Sequence, residues 1–349
     1  MSEFEAQSKN LFDPPGRPLR DLNREEIERY AREKVLHISG VLSEDWLQLI
    51  GSAVDGQTQS SGLQSMAANA WHTNDSMHQV IMNCPVAHLA QQLLDHLSPI
   101  DDPEPSGAQK PIRFFYDQMF VKHPHAEEID EDSKEDSKEE VSDSRGHLGN
   151  TPWHQDITFW PVSGDQIVSI WIALDDTDLN NGGLEFVPGS SDFSERYEAV
   201  GVGDHGRIPF RSDTLQSLPK INSMTTGESG ADLSAISFDM KAGDLLIFDA
   251  NILHGAPPNV SSRLRRGLAL RYLGSDVVLD DAKYGARTLM APFDCYDDSL
   301  SNGDKLSGYA YPQVLPDKIP SEVERRLEGE LRPSPTKMER WLKRSQDLA

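Results

Sequence analysis

The stretch TPWHQDITFW, from Thr151 to Trp160, places His154 and Asp156 one residue apart in a run that otherwise resembles a buried strand. Because alternate residues of a strand point to the same face, both side chains can converge on one point. The aromatic residues of the run indicate an apolar setting, in which an unpaired carboxylate would cost several kcal/mol. A bound metal ion would remove that cost. A hydrogen bond between Asp156 and His154 on a half-buried strand is the simpler alternative.

A second candidate ligand is His254, which ends the apolar run LLIFDANIL and precedes Gly255. A histidine and a carboxylate from an early strand, joined by a late histidine, form a two-histidine, one-carboxylate set. Such a set leaves coordination positions open and suits non-haem Fe(II) oxygenases.

Arg265 follows eleven residues after His254, at the start of the next apolar run. Its planar guanidinium matches a carboxylate in a bidentate manner. If Arg265 is buried in the mouth of a barrel it needs such a partner, and the distal carboxylate of 2-oxoglutarate would be one. A basic surface turn is the alternative interpretation of RLRR, and it is adequate for Arg263 and Arg266.

The arrangement of apolar runs predicts a mainly β fold. From about residue 111 the runs IRFFYDQMFVK, QIVSIWIALDD, NGGLEFVPGS, GDLLIFDANILHG and RRGLALRYLG alternate with Gly, Pro, Asp and Asn. Short strands with this punctuation are typical of an all-β sandwich or barrel. Helices are predicted in front of them, over residues 22–35 with Asn23 as N-cap, after Ser43, and over residues 86–97.

The 349 residues are consistent with one domain, because β barrels and sandwiches can be large single units. Residues 1–20 are polar and rich in proline, which predicts a flexible tail before a single domain over 21–349. The jelly-roll core is expected at about 111–275. The acidic stretch 126–146 cannot bury a core and is predicted to be a disordered insertion. Residues 320–347 predict a final helical stretch.

The charge of the chain excludes several partners. The formal net charge is -24, and the segment from Glu127 to Asp143 alone holds ten acidic residues and two lysines. Binding of nucleic acid or anionic lipid needs a cationic surface, so neither is expected. We find no apolar leader and no run of the roughly 20 apolar residues that a membrane span requires. These observations favour a soluble, intracellular and cytoplasmic protein with two reduced cysteines, Cys84 and Cys295.

Taken together, these motifs resemble the phytanoyl-CoA dioxygenase family of Fe(II)/2-oxoglutarate oxygenases. The resemblance rests on DQMFVK, TPWHQD, DQIVSIWIALDD, NGGLEFVPGS, and HGAPPN followed by RRG, and it extends from about residue 20 to 275. It implies a double-stranded β-helix, a cupin-like jelly-roll barrel, with helices packed outside it. The acidic insertion departs from the family pattern, in which this loop is usually short.

The resemblance also implies a set of site residues. The implied iron ligands, which would make the catalytic centre, are His154, Asp156 and His254. Arg265 would bind the C5 carboxylate of 2-oxoglutarate. Gln118 and Trp171 occupy positions that help form the 2-oxoglutarate pocket in family members.

The implied activity is that of a dioxygenase with Fe(II), 2-oxoglutarate and O2 as cofactor and cosubstrates. It would hydroxylate a C–H bond of a small molecule with release of succinate and CO2. Related halogenases lack the carboxylate ligand, so Asp156 favours hydroxylation, although desaturation, ring formation and epimerisation stay open. Two other interpretations remain: a non-catalytic jelly-roll module that binds metal or 2-oxoglutarate, and a cupin-like enzyme that uses its metal as a Lewis acid.

The substrate is not specified by these motifs. An acyl-CoA carries several phosphates and would need a basic groove, for which the nearby candidates are only Arg263, Arg266, Arg271 and Lys283. Arg271 shares strand parity with Arg265, so it is expected either to meet an anionic group of the substrate inside the barrel or to pair with a surface acid at its rim. The oligomeric state is left open.

Overall fold

The computed structural model describes eleven segments of the chain: residues 16–55, 64–72, 74–97, 110–124, 149–193, 195–201, 208–210, 215–225, 233–280, 300–308 and 310–315. The predicted acidic insertion at 126–146, the predicted C-terminal helical stretch and the first fifteen residues of the predicted tail lie outside these segments.

Four α-helices precede or flank the sheets: α1 Arg24–Glu33, α2 Glu44–Asp55, α3 Asp75–Asn83 and α4 Val86–Leu97. The predicted N-cap of α1 is confirmed, because the Asn23 side chain accepts from the Glu26 amide and the Glu26 carboxylate accepts from the Asn23 amide. Helix α3 was not predicted, although Asn74 caps it by accepting a hydrogen bond from the Met77 amide. None of the helices in the described segments is long and apolar enough to span a membrane.

The described strands are short except for three in the centre of the fold. They are β1 Val35–Ile38, β2 Gln64–Ala68, β3 Ile112–Lys122, β4 Thr151–His154, β5 Val162–Ser163, β6 Ile167–Ala173, β7 Glu185–Phe186, β8 Ala199–Gly201, β9 Ile208–Phe210, β10 Ile221–Asn222, β11 Leu233–Ser234, β12 Ile236–Ser237, β13 Leu245–Asp249, β14 His254–Ala256, β15 Arg265–Leu273, β16 Val278–Leu279 and β17 Gln313–Leu315.

Two antiparallel sheets dominate the topology. The major sheet has seven strands in the order β1-β13-β6-β15-β3-β17, with β2 also paired to β3. The minor sheet has four strands in the order β12-β7-β14-β4. Strands that are adjacent in the major sheet are far apart in sequence, as β13 and β6 are. The sheet is therefore built by crossover connections and not by a series of hairpins between consecutive strands. The predicted jelly-roll fold is confirmed.

The two faces of the major sheet carry different cores. Its outer face, with residues such as Ile170, Leu268 and Leu270, packs in one apolar cluster with the helices. Its inner face, with residues such as Trp171 and Phe248, packs against Phe186 of the minor sheet. This alternation follows from the two-residue period of a strand. It creates an interior between the sheets, and the candidate site lies there.

Replacing Asn23 with Ala should lower the free energy of unfolding by about 1 kcal/mol. The substitution removes the side-chain acceptor of one of the two hydrogen bonds of the capping box, and the other is donated by the Asn23 backbone amide. The Asn23 Oδ1 accepts from the Glu26 amide at 2.9 Å. Urea denaturation of the whole chain measures the change. Ser52→Ala is the control, since its hydroxyl bonds only to Gln48 within α2. A loss no larger than that of the control would contradict the capping role.

Candidate metal centre

The minor sheet brings His154 and His254 together, and Asp156 joins them from the turn after β4. His154 is the last residue of β4 and lies directly opposite His254, the first residue of β14. One ligand atom from each of the three residues lies within 4.8 Å of the other two. The Nε2 atoms of His154 and His254 lie 3.5 and 3.9 Å from Asp156 Oδ1. The cluster therefore has the composition and spacing of a two-histidine, one-carboxylate metal site.

The expectation that His154 and Asp156 share one strand is wrong in part. Strand β4 ends at His154, and Asp156 begins a 3₁₀ turn that runs from Asp156 to Phe159. The intervening Gln155 is extended and buried, and its side-chain amide donates to Asn251 O while its side-chain oxygen accepts from the Tyr197 amide. These two bonds hold the chain extended through Gln155. His154 and Asp156 therefore still point to the same side.

Both histidine rings are oriented by backbone carbonyls. His154 Nδ1 lies 2.7 Å from Pro152 O, and His254 Nδ1 lies 3.1 Å from Ile252 O. A carbonyl oxygen can only accept, so each Nδ1 carries the proton and each Nε2 presents its lone pair towards Asp156. Fixing the tautomer and the ring orientation in this way is the usual role of residues behind a metal ligand.

The protonation states also suit a cation. Burial opposes ionisation of Asp156, but the neighbouring Arg271 guanidinium and the two histidine rings hold the pKa of its carboxyl well below the usual range. Burial and the nearby His154 lower the pKa of His254 to about 4, so this ring is neutral near pH 7. Asp156 Oδ2 has no hydrogen-bond partner among the described residues. An ionised carboxylate and a neutral imidazole are the states that bind metal ions.

Arg265 lies at the start of β15 and is buried, with only 2% of its surface exposed. One of its terminal nitrogens donates to Gly182 O, and its guanidinium lies 5.4 Å from the Trp171 ring centroid. Its Nε has no partner within the described part of the chain. Burial lowers the pKa of Arg265 to about 9, so the group still carries its charge at neutral pH. A buried cation with a free donor is suited to an anionic ligand.

Lys122 was missed by the sequence interpretation. It lies directly opposite Arg265 across β3 and β15, and it is 1% exposed. Its ammonium donates to the carbonyl oxygens of Ala256 and Pro257, and burial together with Arg265 lowers its pKa well below the ordinary value. The alternation of IRFFYDQMFVK did contain the signal, because it places Lys122 on the same face as Gln118.

Trp171 and Gln118 both lie on the strands that flank the middle of β15, where Ala269 pairs with each of them. Trp171 is buried in the core between the sheets. The side-chain oxygen of Gln118 accepts a hydrogen bond of 3.0 Å from Arg271. Arg271 therefore does not lie at the barrel rim in contact with a surface acid. It is 2% exposed, and its nearest carboxylate is Asp156 at 3.6 Å.

The fold and this cluster together define a class: jelly-roll proteins with a two-histidine, one-carboxylate candidate metal centre between the two sheets. The comparison with known families is more specific. The family model described as phytanoyl-CoA dioxygenase (PhyH) matches residues 141–267. Residues 141–267 of the chain thus match the phytanoyl-CoA dioxygenase family model, and the resemblance seen in the sequence is confirmed.

Individual relatives agree with this assignment. The chain is 28% identical over 137 residues to a probable alpha-ketoglutarate-dependent hypophosphite dioxygenase of Stutzerimonas stutzeri, which covers 38% of this chain and 43% of that protein. It is 30% identical over 125 residues to phytanoyl-CoA dioxygenase of Arabidopsis thaliana, covering 35% and 38% of the two chains. The chain therefore spans less than half the length of these curated relatives.

Solved structures share the fold. The non-heme alpha ketoglutarate dependent carbocyclase SnoK from nogalamycin biosynthesis superposes with a TM-score of 0.57 at 19% identity, over 83% of this chain and 96% of that chain. The epimerase SnoN in complex with Fe3+, alpha ketoglutarate and nogalamycin RO superposes with a TM-score of 0.56 at 19% identity, over 83% and 97%.

His254→Ala should weaken Fe(II) binding by more than about tenfold, because one of three converging nitrogen or oxygen ligands is lost. Anaerobic titration of the metal-free chain with Fe(II), followed by calorimetry, measures the affinity. His88→Ala is the control, because this half-buried histidine of α4 contacts Arg17 and is not in the cluster. Equal affinities of the His254→Ala and wild-type chains would contradict the metal assignment.

Proposed function

We propose that the chain is an Fe(II)- and 2-oxoglutarate-dependent dioxygenase that hydroxylates a C–H bond of a small organic molecule. One observation carries the proposal: the His154, Asp156 and His254 cluster shares a barrel interior with the buried, incompletely bonded guanidinium of Arg265. A metal site alone would also suit a Lewis-acid enzyme. A buried cation beside it adds the means to bind a dicarboxylate that chelates the metal.

In this proposal His154 and His254 hold iron through Nε2, and Asp156 holds it through a carboxylate oxygen. Three protein ligands on one side leave further positions open for ligands from solution. When bound, iron and 2-oxoglutarate supply oxygen activation coupled to decarboxylation of 2-oxoglutarate to succinate and CO2. The chain's own contribution is to place the ligands, to bind the cosubstrate and to keep water out.

Arg265 would bind the distal carboxylate of 2-oxoglutarate. Its guanidinium is buried against Trp171 and is held by Gly182 O, so it is already ordered before any ligand arrives. A charge-assisted hydrogen bond in such a setting contributes roughly 1.5–3 kcal/mol. Lys122, which lies next to Arg265, places a second buried nitrogen donor at the same end of the barrel. Trp171 and Gln118 would line the space between this end and the metal.

The wall of the site beside His254 is apolar. Phe186 and Phe248 lie with ring centroids 5.9 and 5.1 Å from that of His254, and both are buried. Apolar walls around a metal site restrict the access of water and lower the local dielectric constant. Both effects would favour reaction with the bound substrate over side reactions with water.

The relatives support the class and leave the substrate open. Besides the two already described, the names of matching proteins include Ectoine dioxygenase and L-proline trans-4-hydroxylase. These names refer to chemically different small molecules. We therefore infer a small-molecule substrate for this chain without assigning its identity.

Adding Fe(II) and then 2-oxoglutarate to the chain without O2 should produce the visible charge-transfer band of the chelate. His154→Ala should lose the band because a metal ligand is missing. Arg265→Ala should keep the band but need about 10- to 100-fold more 2-oxoglutarate, since one charge-assisted contact is lost. Absorption titration measures both effects.

Arg266→Ala is the matched control for this titration. Arg266 neighbours Arg265 but points away from the interior and pairs with Asp55 and Asp175. It should bind 2-oxoglutarate as the wild type does. Iron-loaded, folded protein without a band would contradict the dioxygenase proposal and would favour a Lewis-acid or non-catalytic role.

Gly267→Ala should weaken 2-oxoglutarate binding while leaving Fe(II) affinity within a few-fold of wild type. A Cβ at Gly267 would lie 2.0 Å from Trp171 Cζ2, so the indole must move, and Arg265 packs against it. The same absorption titration measures the change. Gly51→Ala in α2 is the control, because its Cβ would meet nothing within 4 Å. An unchanged 2-oxoglutarate affinity would show that Trp171 does not position Arg265.

A further inference from the structure

A second buried guanidinium lies on the metal side of the barrel and has no function in the scheme above. Arg271 is 2% exposed, and its Nη2 donates to Gln118 at 3.0 Å. Its Nε and Nη1 have no hydrogen-bond partner among the described residues. Leaving a buried donor unpaired costs roughly 1–3 kcal/mol, and more for a charged group. Two such donors on one side chain indicate a ligand.

A neighbouring side chain has the same deficiency. Ser169 of β6 lies directly opposite Arg271 of β15, and it is fully buried. Its hydroxyl also lacks a partner in the described segments. Directly opposed residues on one face of an antiparallel pair have Cβ atoms roughly 4.5–5.5 Å apart. Ser169 and Arg271 can therefore donate to the same ligand.

The surroundings of Arg271 restrict the shape of that ligand. The Tyr116 ring lies 4.2 Å from the guanidinium carbon and the Trp160 ring lies 5.5 Å from it, so aromatic rings cover the cation. The Trp160 indole donates to the Tyr116 hydroxyl at 2.9 Å, which fixes both rings. In the part of the chain that the structure describes, Nε and Nη1 are unpaired, and each forms an edge of the guanidinium together with Nη2, which has a second proton besides the one donated to Gln118. A planar carboxylate is the group that matches such an edge.

Charge balance also favours an anion at this place. With a metal ion and 2-oxoglutarate bound, Asp156 would face the metal and the distal cosubstrate carboxylate would face Arg265, which leaves Asp156 Oδ2 at 3.6 Å as the nearest carboxylate oxygen to Arg271. The single charge of Asp156 would then be shared between the metal and Arg271. Buried charges need partners, so a further anion beside Arg271 would stabilise its guanidinium.

We propose that Arg271 and Ser169 form a binding site for a carboxylate group of the organic substrate, beside the metal centre. The inference rests on the proposed function, because it takes the metal and 2-oxoglutarate sites as given. It narrows the substrate class to small carboxylic acids and places the reacting C–H bond near the carboxylate. Arg271 lies 3.6 Å from Asp156 Oδ2, so the bound carboxylate would lie close to the metal ligands.

A competing explanation is that Arg271 only orients Asp156. Ser169 separates the two explanations, because it would donate to a bound carboxylate, whereas orienting Asp156 would require only Arg271. If Arg271 only orients Asp156, Ser169→Ala should have no effect on anion binding. If the carboxylate site exists, Ser169→Ala should weaken it without changing the charge of the chain.

Formate, a carboxylate without any attached chain, is the probe for this site. The whole chain is loaded with Fe(II) and 2-oxoglutarate in the absence of O2, so that Arg265 is occupied, and is titrated with formate in a calorimeter at constant ionic strength. Formamide serves as the uncharged comparison. The variants are Ser169→Ala, Arg271→Gln and Arg271→Lys, with Arg266→Gln as the matched control on the outer face of the same strand.

We expect formate, and not formamide, to bind to the wild-type and Arg266→Gln chains. Affinity should fall several-fold in Ser169→Ala and more than tenfold in Arg271→Gln, and Arg271→Lys should retain part of it. Absence of formate binding in the wild type, or equal affinity in Arg271→Gln, would overturn the proposal. Loss of the 2-oxoglutarate band in Arg271→Gln would do the same, because it would assign Arg271 to holding Asp156.

The charge-transfer band of the wild-type chain distinguishes failure of the carboxylate site from failure of the proposed dioxygenase function. If the wild type forms no band, the dioxygenase proposal fails, and formate titration of the same protein still decides whether Arg271 and Ser169 bind a carboxylate. If the band forms in every variant and formate binding does not depend on Arg271, only the carboxylate site fails.

Discussion

Two guanidinium groups buried on the inner face of β15 constrain the rest of the barrel interior. Between Arg265 and Arg271 the same face carries only Gly267 and Ala269, so the space between the two cations is not filled by side chains of this strand. Removing a guanidinium from water is unfavourable unless anions or dipoles replace the water. Gly182 O and Gln118 supply only part of that replacement. The interior is therefore arranged to receive negative groups.

The candidate metal cluster faces these cations, with its two histidines on the minor sheet and Asp156 on the turn that follows β4. The major sheet contributes Arg265, Arg271 and Lys122, whereas the minor sheet contributes His154 and His254. Neither set could function in an isolated sheet, because each needs the other across the interior. The packing of Phe186 against Phe248 fixes the distance between the sheets at the level of His254. Closure of the barrel is thus a condition for the site as well as for stability.

Sequence reasoning predicts those residues of the candidate site whose signal is local. His154 and Asp156 are one residue apart, and His254 and Arg265 lie in one short segment, so spacing and residue type were informative. The strand alternation of β15 also placed Arg271 on the inner face. What spacing could not supply is the pairing of His254 with His154 across 100 residues, since that depends on strand register in the minor sheet.

The parts that were missed depend on contacts between distant segments. Gln155 holds the turn between His154 and Asp156 through Asn251 and Tyr197, and nothing in its immediate sequence indicates those partners. In the sequence, Lys122 is an ordinary charged residue at the end of a strand. Only the structure shows that it is buried in the interior, where it donates to two carbonyl groups. For such residues the alternation of side chains along a strand predicts the face of the sheet on which they lie. Their burial depends on which strand packs opposite.

The net charge of -24 gives these buried cations a particular importance. An acidic surface repels anions at long range, but that field is screened beyond a Debye length of roughly 8 Å at physiological ionic strength. Inside the barrel the dielectric constant is lower, and a pair of opposite charges in contact is screened much less. Under the two proposals, affinity for carboxylates would come from short-range contacts with Arg265 and Arg271 and not from steering by the surface. Long-range repulsion together with strong local recognition would favour anions whose shape fits the interior over anions in general.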